Sequence, residues 1–256
     1  MKRIDSLLVG VTVALTSLPL ATPAVAQGIA ERVAAVDDGQ VRLSFTAREG
    51  VCGDGESISM HRRGRDCYCC CEPGPVRVAI DKRDGRIVEI DTYVGGRWRA
   101  RAGRVEDLGT VAAPEAARYF LSLAARLDGE TGRDAIFPAT IADSAVVWPE
   151  LLALAKDRTR PREVREGAVF WVAQQAGAVV TQGLEEIVAD EDDDIEVREH
   201  AVFAISQLPD EEGVPALIRL VRGHADPRIR RQAVFWLGQS GDPRALDLFE
   251  EILTRR

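Results

Sequence analysis

The first regular pattern along the chain is an alternation of apolar and polar residues that begins at Val41. A period of two is typical of a strand that is buried on one face only. The alternation returns over 76–80 and 87–90, and an Asp-Gly turn signal separates these two segments. The pattern therefore predicts a small β-rich domain over residues 41–110.

From Pro114 onward the period of the apolar residues changes to about 3.6, which is typical of amphipathic helices. The pattern predicts an α-solenoid of about four helix pairs over 113–256, so the fold class is α+β and mostly α. The first pair is atypical, because a long connection over 128–144 separates its helices. The predicted first helices are 114–127, 162–176, 195–208 and 227–239, and the predicted second helices are 145–157, 183–190, 212–222 and 243–254.

One eleven-residue motif occurs three times, beginning at Val164, Val197 and Ile229, with spacings of 33 and 32 residues. A fixed period of this size is the signature of stacked helix pairs. The apolar positions of the motif predict one buried stripe per copy. The signature positions, to which we assign a structural role, are Val164, Arg165, Ala168, Phe170, Val197, Arg198, Ala201, Phe203, Ile229, Arg230, Ala233 and Phe235.

Three positions of the motif carry specific expectations. The phenylalanines are predicted to fill the seam between repeats. Trp171 and Trp236 are expected to belong to the core, and an exposed aromatic anchor for a partner is the alternative. The arginines share one offset, so stacking places them in a row. We expect each arginine to bond a carboxylate or carbonyl of a neighbouring repeat, because an unpaired buried charge is costly. A row of arginines that reads a ligand is the open alternative.

The motif Val/Ile-Arg-x-x-Ala-Val resembles HEAT-type repeats, especially the short class described as phycobilisome-lyase-like. The likeness is good over 160–256 and looser over 114–157, and Asp226-Pro227 supports it at one connection. It implies an α-solenoid and no particular activity, because one fold hosts many functions. The glycine- and cysteine-containing segments 50–55 and 71–76 also resemble those of secreted bacterial HEAT-repeat proteins, and this too implies no activity.

An enzymatic relative of that kind is deoxyhypusine hydroxylase, whose iron is held by His-Glu pairs in several repeats. The corresponding positions here are Glu166-Gly167, Glu199-His200 and Arg231-Gln232, and the chain has no His-Glu dipeptide. A dinuclear metal centre of that kind is therefore not expected. The chain has no Gly-x-Ser-x-Gly motif either. We predict no catalytic residue, no cofactor and no enzymatic activity.

The N-terminus carries a targeting pattern. Lys2 and Arg3 precede an apolar stretch, and Ala24-Val25-Ala26 is a small-residue cleavage site. Residues 1–26 are thus predicted to be a signal peptide, followed by a polar lead-in over 27–40. The prediction places the protein in the bacterial periplasm or outside the cell, with no transmembrane segment after cleavage. The net charge of −8 argues against a nucleic-acid partner.

All five cysteines lie in the predicted β-rich domain. An exported protein meets an oxidising environment, so a disulfide is expected, and Cys52 with Cys71 is our preferred pair. The alternative is a soft-metal site for Cu(I) or zinc at Cys67, Cys69 and Cys70, because thiolates suit both ions.

These observations favour an exported scaffold that binds another protein along the concave face of the solenoid. The second helices line most of that face, and Glu185, Arg219 and Arg222 are the candidate binding residues. The alternative is a soft-metal or thiol-handling protein that uses the segment from Cys67 to Cys71. An enzyme of a HEAT-containing class is the weakest of the three hypotheses.

Overall fold

The computed structural model describes residues 28–60, 73–174 and 178–254, and its architecture is α+β and mostly helical. The predicted signal peptide lies outside the described residues. The strands are β1 (Gly39–Phe45), β2 (Val51–Gly53), β3 (Ile58–Met60), β4 (Val76–Arg83), β5 (Arg86–Val94) and β6 (Val105–Thr110). The helices are α1 (Ile29–Ala34), α2 (Ala113–Ala124), α3 (Gly129–Asp134), α4 (Ile136–Thr140), α5 (Trp148–Lys156), α6 (Arg162–Ala173), α7 (Ala178–Ala189), α8 (Ile195–Ser206), α9 (Asp210–Gly223), α10 (Pro227–Ser240) and α11 (Pro243–Thr254).

Four strands form a mixed sheet in the order β5-β4-β1-β6. Strand β1 runs antiparallel to β4 and parallel to β6, and β2 and β3 form a separate antiparallel pair. The predicted Asp-Gly turn joins β4 to β5, and Asp84 and Gly85 both have positive φ, as type I′ hairpin turns require. The alternation that begins at Val41 gives the sheet its buried face.

The segment before the sheet holds more structure than a polar lead-in. Residues 29–34 form α1, and Ile29, Val33 and Val36 are buried. Ile29 and Val33, four residues apart, lie on one face of α1, and Val36 follows two residues after the helix ends. The helix is tied to the sheet by Lys82 of β4, whose Nζ donates a hydrogen bond to the carbonyl of Val33 at 2.8 Å.

The repeated helices form two layers. The A layer contains α3, α4, α6, α8 and α10, and the B layer contains α5, α7, α9 and α11; neighbours within each layer are in contact. Helices α6, α8 and α10 lie within a few residues of the spans predicted from the 3.6-residue period. Among the described helices, none is long and apolar enough to cross a membrane.

The first repeat differs from the prediction. The stretch 128–144 is not a simple connection, because it contains α3 and α4, which pack against α6 as the first A-layer element. Ala135, Ile136 and Phe137 stand 33 residues before Ala168, Val169 and Phe170, so this segment is a fourth, degenerate copy of the motif. Glycine replaces the motif arginine at Gly132, and proline replaces the tryptophan position at Pro138. These two substitutions conceal the copy in the sequence.

Helix α2, predicted as the first helix of the first pair, has a different place. It packs against α1, α3 and α4, and its Phe120 lies 6.3 Å from Phe45 of β1 between ring centroids, so α2 contacts both the sheet and the stack. The β-rich half also bonds the stack directly, because the amide of Arg48 donates to the carbonyl of Ile141 at 2.9 Å and that of Asp143 to the carbonyl of Thr46 at 3.0 Å. One hydrophobic core runs through both halves. The N-terminal end of the stack is therefore covered.

Candidate functional site

The motif arginine of α6 occupies a buried site between repeats. Arg165 donates from Nε to the carbonyl of Ala155 in the preceding B-layer helix at 2.8 Å. Its two terminal nitrogens reach both oxygens of Asp193, with Nη1 to Oδ1 at 2.7 Å. Guanidinium and carboxylate are both almost fully buried, so the two charges compensate one another away from water.

The other two motif arginines, Arg198 and Arg230, form weaker contacts with carboxylates than Arg165 does. Arg198 donates from Nε to the carbonyl of Val188 at 3.0 Å, but its Nη1 lies 3.6 Å from Asp226. Its buried Nη2 has no hydrogen-bond partner among the described residues. Within the described part of the chain, Arg230 reaches only carbonyls, those of His224 and Ala225, each at 2.6 Å. The donors of these arginines thus bind neighbouring segments of the stack, as expected for a structural row.

The acidic run between α7 and α8 also serves structural contacts. Asp190 accepts hydrogen bonds from Arg158, which lower the pKa of the Asp190 carboxyl. Asp193 pairs with Arg165, and Asp194 caps α8 by accepting from the amide of Glu196 at 3.0 Å. Aspartate is a preferred cap because its oxygen satisfies an amide that has no partner within the helix.

The predicted binding residues lie on the B layer and form ion pairs between repeats. Arg219 of α9 donates to Glu185 of α7 from Nε and Nη2, at 3.0 and 2.8 Å. Arg222 of α9 donates to Glu251 of α11 at 2.6 Å. We call these two pairs the B-face ladder. Both arginines are well exposed, so a partner can reach them, and their role in binding stays a prediction.

Aromatic rings lie on the outer surface of the A layer. Phe137 stacks on Trp171 with a centroid distance of 5.2 Å, and Phe203 meets Trp236 at 5.0 Å, so a phenylalanine of one repeat contacts the tryptophan of the next. The prediction that the phenylalanines fill the seam is wrong for Phe170 and Phe235, whose side chains are exposed.

The reason for that exposure differs between the two phenylalanines. The repeat after Phe170 has Ala204 at the tryptophan position, so no tryptophan of that repeat covers the Phe170 ring. Phe235 belongs to the last repeat of the stack. Trp171 and Trp236, predicted as core residues, are only partly buried.

A cleft of about 300 Å³ opens between α3, α4, α6 and α8. We call it the aromatic–acidic cleft. Gly167 is part of its lining, and a Cβ atom there would approach Cγ of Arg133 to 2.9 Å, so glycine permits the close approach of α3 and α6. The residues that line the cleft are Arg133, Asp134, Phe137, Glu163, Glu166, Gly167, Phe170, Trp171 and His200.

The charges around this cleft are predominantly negative. Arg133 is the one cation of the lining, and it donates to Glu130 at 2.6 Å. Burial raises the pKa of the Asp134 carboxyl, an effect that Arg133 partly opposes. Burial also lowers the pKa of His200, against the opposite influence of Glu166, and so favours the neutral imidazole. Glu163 is exposed and forms no ion pair among the described residues.

Aromatic faces beside carboxylates suit a positively charged group, because the face of an aromatic ring attracts a cation. The sequence analysis missed this site for two reasons. It did not recognise the degenerate copy that contributes Phe137, and it preferred a core position for Trp171 over an exposed aromatic anchor. The signal that was present is the identical Ala-aliphatic-Phe order at 135–137 and 168–170.

Of the cysteines in the predicted sites, only Cys52 is among the described residues. Cys52 is disulfide-bonded and lies in β2. Cys71 and the alternative metal ligands Cys67, Cys69 and Cys70 lie outside the described residues, so the Cys52–Cys71 pairing and the soft-metal site remain predictions. Within 28–60, 73–174 and 178–254, no group of three or more His, Cys, Asp or Glu residues could hold a metal ion.

The two layers of repeated helix pairs define the C-terminal part of the chain as an α-solenoid. Residues 181–256, from within α7 to the C-terminus, match the model of the HEAT repeats family. This part of the chain therefore matches HEAT repeats, in agreement with the resemblance of the motif. A comparison with curated proteins finds no significant match to the chain.

Proposed function

We propose that this protein is an exported scaffold without catalytic activity of its own, and that it binds a protein partner through the aromatic–acidic cleft. HEAT repeats generally act as scaffolds for protein interaction, because stacked helix pairs present extended surfaces. The observation that carries the choice of site is the cluster of rings and carboxylates around Gly167. The partner segment would carry arginine or lysine.

The rings of the cleft support a binding role. Phe170 is exposed and perpendicular to Trp171, with centroids 5.1 Å apart, while Phe137 stacks on the same tryptophan. Partly exposed tryptophans are frequent anchors in protein interfaces, since a large ring buries much apolar area at low entropic cost. An arginine side chain that enters the cleft would contact these rings and the carboxylate of Glu163.

The B-face ladder is the second candidate surface of the same scaffold. Glu185 and Arg219 already satisfy one another, and Arg222 is paired with Glu251. A partner on this side would have to replace those pairs or bind over them. In the cleft, Arg133 is part of the lining and Arg162 lies 3.8 Å from Glu166. Glu163, however, forms no ion pair among the described residues, which is why we rank the cleft first.

Export is supported by the pattern of residues 1–26, in which a basic start precedes an apolar stretch and a small-residue cleavage site. The expected location is the periplasm or the extracellular space. The net charge of −8 supports a cationic protein partner over a nucleic acid.

The proposal is tested by photo-crosslinking in the native bacterium. A p-benzoylphenylalanine at position 170 should give a discrete adduct, whereas the same residue at Val146, an exposed site in neither surface, should give none. The double change Glu163→Lys and Glu166→Lys should lower the adduct yield at least about tenfold, because like charges across an interface are costly.

The matched control is the double change Arg219→Glu and Arg222→Glu, which alters two charges on the other layer. It should leave the adduct from position 170 unchanged. If Arg219→Glu with Arg222→Glu removes the adduct, and Glu163→Lys with Glu166→Lys does not, the B-face ladder is the binding surface and the cleft is not.

The soft-metal or thiol-handling alternative rests on four cysteines within residues 67–71. Thiolates at this density are suitable ligands for Cu(I) or zinc. Native and denatured masses of the purified protein, with and without alkylation, decide between the two. A stoichiometric metal that is lost when Cys67, Cys69 and Cys70 are changed to serine would support the alternative over the scaffold.

A further inference from the structure

The last repeat leaves an apolar surface open at the C-terminal end of the stack. We call it the end face; its exposed side chains come from α10 and α11, at 38% for Val234, 64% for Leu246 and 84% for Leu253. Phe235 and Ile252 are exposed beside them. Contiguous exposed apolar patches frequently mark interaction sites, so a patch of this kind needs a partner that covers it.

The same positions are buried one repeat earlier, because the following repeat covers them. Val202, 32 residues before Val234, is fully buried, since α8 packs against α10. Val214 and Val221, 32 residues before Leu246 and Leu253, are exposed by only 3% and 9%. The end face therefore has the chemistry of a repeat-to-repeat interface whose second half is absent among the described residues.

Two charged residues flank this apolar surface. Arg230 precedes Val234 by four residues, and Glu250 follows Leu246 by four, so each shares a helical face with its apolar neighbour. The inner arginines Arg165 and Arg198 have an aspartate from the next connection. Arg230 and Glu250 form no ion pair within the described part of the chain. The end face thus offers one unpaired charge of each sign.

We propose that the end face docks the end face of a second copy of this chain in a twofold-symmetric dimer. The other end of the stack is covered by α2 and the sheet, so a head-to-tail contact has no apolar counterpart among the residues that the structure describes. A twofold contact brings the same patch of both copies together and therefore needs a self-complementary surface. Arg230 of each copy would lie against Glu250 of the other, with Val234, Leu246 and Leu253 between them.

Sedimentation velocity of the purified protein over a wide concentration range is the direct test. Wild type should shift from monomer to dimer mass as concentration rises. The double change Leu246→Glu and Leu253→Glu should weaken association at least about a hundredfold, because four apolar side chains per dimer are replaced by charges. The double change Val146→Glu and Val179→Glu, at two exposed valines away from the end face, should associate like wild type.

A charge exchange tests the symmetry. Arg230→Glu alone and Glu250→Arg alone should each weaken the dimer, since they place like charges across the twofold axis. The combined exchange should restore association to near the wild-type level, with thermal unfolding as a check that each variant folds. A wild-type protein that stays monomeric at every concentration would overturn the proposal, as would a dimer that the leucine changes or the charge exchange leave unaltered.

Discussion

The two ends of the helix stack differ in a way that the motif alone would not suggest. The first copy of the motif, at 131–141, has lost its arginine and its tryptophan position, yet its end of the stack is covered by α2 and the sheet. The last copy, at 229–239, keeps Arg230, Phe235 and Trp236, yet its outer face is open. Fidelity to the motif therefore does not indicate which repeat is enclosed.

The difference has a steric cause at the first copy. A Cβ atom on Gly132 would come within 2.3 Å of the carbonyl oxygen of Leu127 and within 3.0 Å of Cγ2 of Val164. The chain that arrives from α2 occupies the space that an arginine side chain would need. Covering one end of the stack with a separate element thus changes the sequence at that end, whereas the open end retains the residues of an interior repeat.

The largest expected effect separates an interior arginine from the terminal one. Arg165→Ala should lower the free energy of unfolding by about 3–5 kcal/mol, because it leaves the buried carboxylate of Asp193 without its partner. Arg230→Ala should cost only about 1 kcal/mol, since this arginine loses carbonyl contacts and no buried ion pair. Urea unfolding followed by circular dichroism measures both. Equal losses would mean that the two sites are energetically alike despite their contacts.

A smaller effect should distinguish the glycines of the first and last copies. Gly132→Ala should destabilise the fold by about 2–3 kcal/mol, because the added methyl group overlaps backbone atoms of Leu127. Gly238→Ala, in α10 with open space around the new methyl group, should have no cost or stabilise by up to about 1 kcal/mol. Thermal unfolding of both variants is the measurement. A stable Gly132→Ala variant would contradict the steric account of the degenerate copy.

The smallest expected difference concerns one apolar position in two repeats. Val202→Ala should cost about 2 kcal/mol, since it removes two buried methyl groups from a closed seam. Val234→Ala should change the free energy of unfolding by less than about 0.5 kcal/mol when the protein is dilute enough to be monomeric. Chemical denaturation at low concentration provides the comparison. A large loss at Val234 under those conditions would show that the end face is covered within a single chain.

Much of the helical half could be predicted because its signal is periodic and repeated. The 3.6-residue period and the 33- and 32-residue spacings located α6, α8 and α10 within a few residues. The first A-layer element was missed because Gly132 and Pro138 replace the two most recognisable motif residues. Helix α1 was missed because it is only six residues long and buries only Ile29 and Val33, too few for a recognisable helical period.

The candidate site was harder to predict than the fold. Phe137, Glu163 and Trp171 form the cleft together, but the first belongs to an unrecognised copy and the others lie on α6. The apolar pattern of a single A-layer helix does not predict which of its faces contacts the next repeat and which remains exposed. Exposure at Phe170 depends on Ala204 in the next repeat, 34 residues away.

The sequence by itself determined the class of fold, the order of the two halves and the repeat. The reason is that the period of apolar residues can be seen within a short segment, and it fixes which face of each helix or strand is buried. The tertiary structure alone decided which end of the stack is covered, that Arg165 has a buried carboxylate while Arg230 has none, and where rings and carboxylates meet. Those features depend on contacts between residues about 30 or more positions apart. Their energies come from desolvation and steric fit, which exist only once the repeats are stacked.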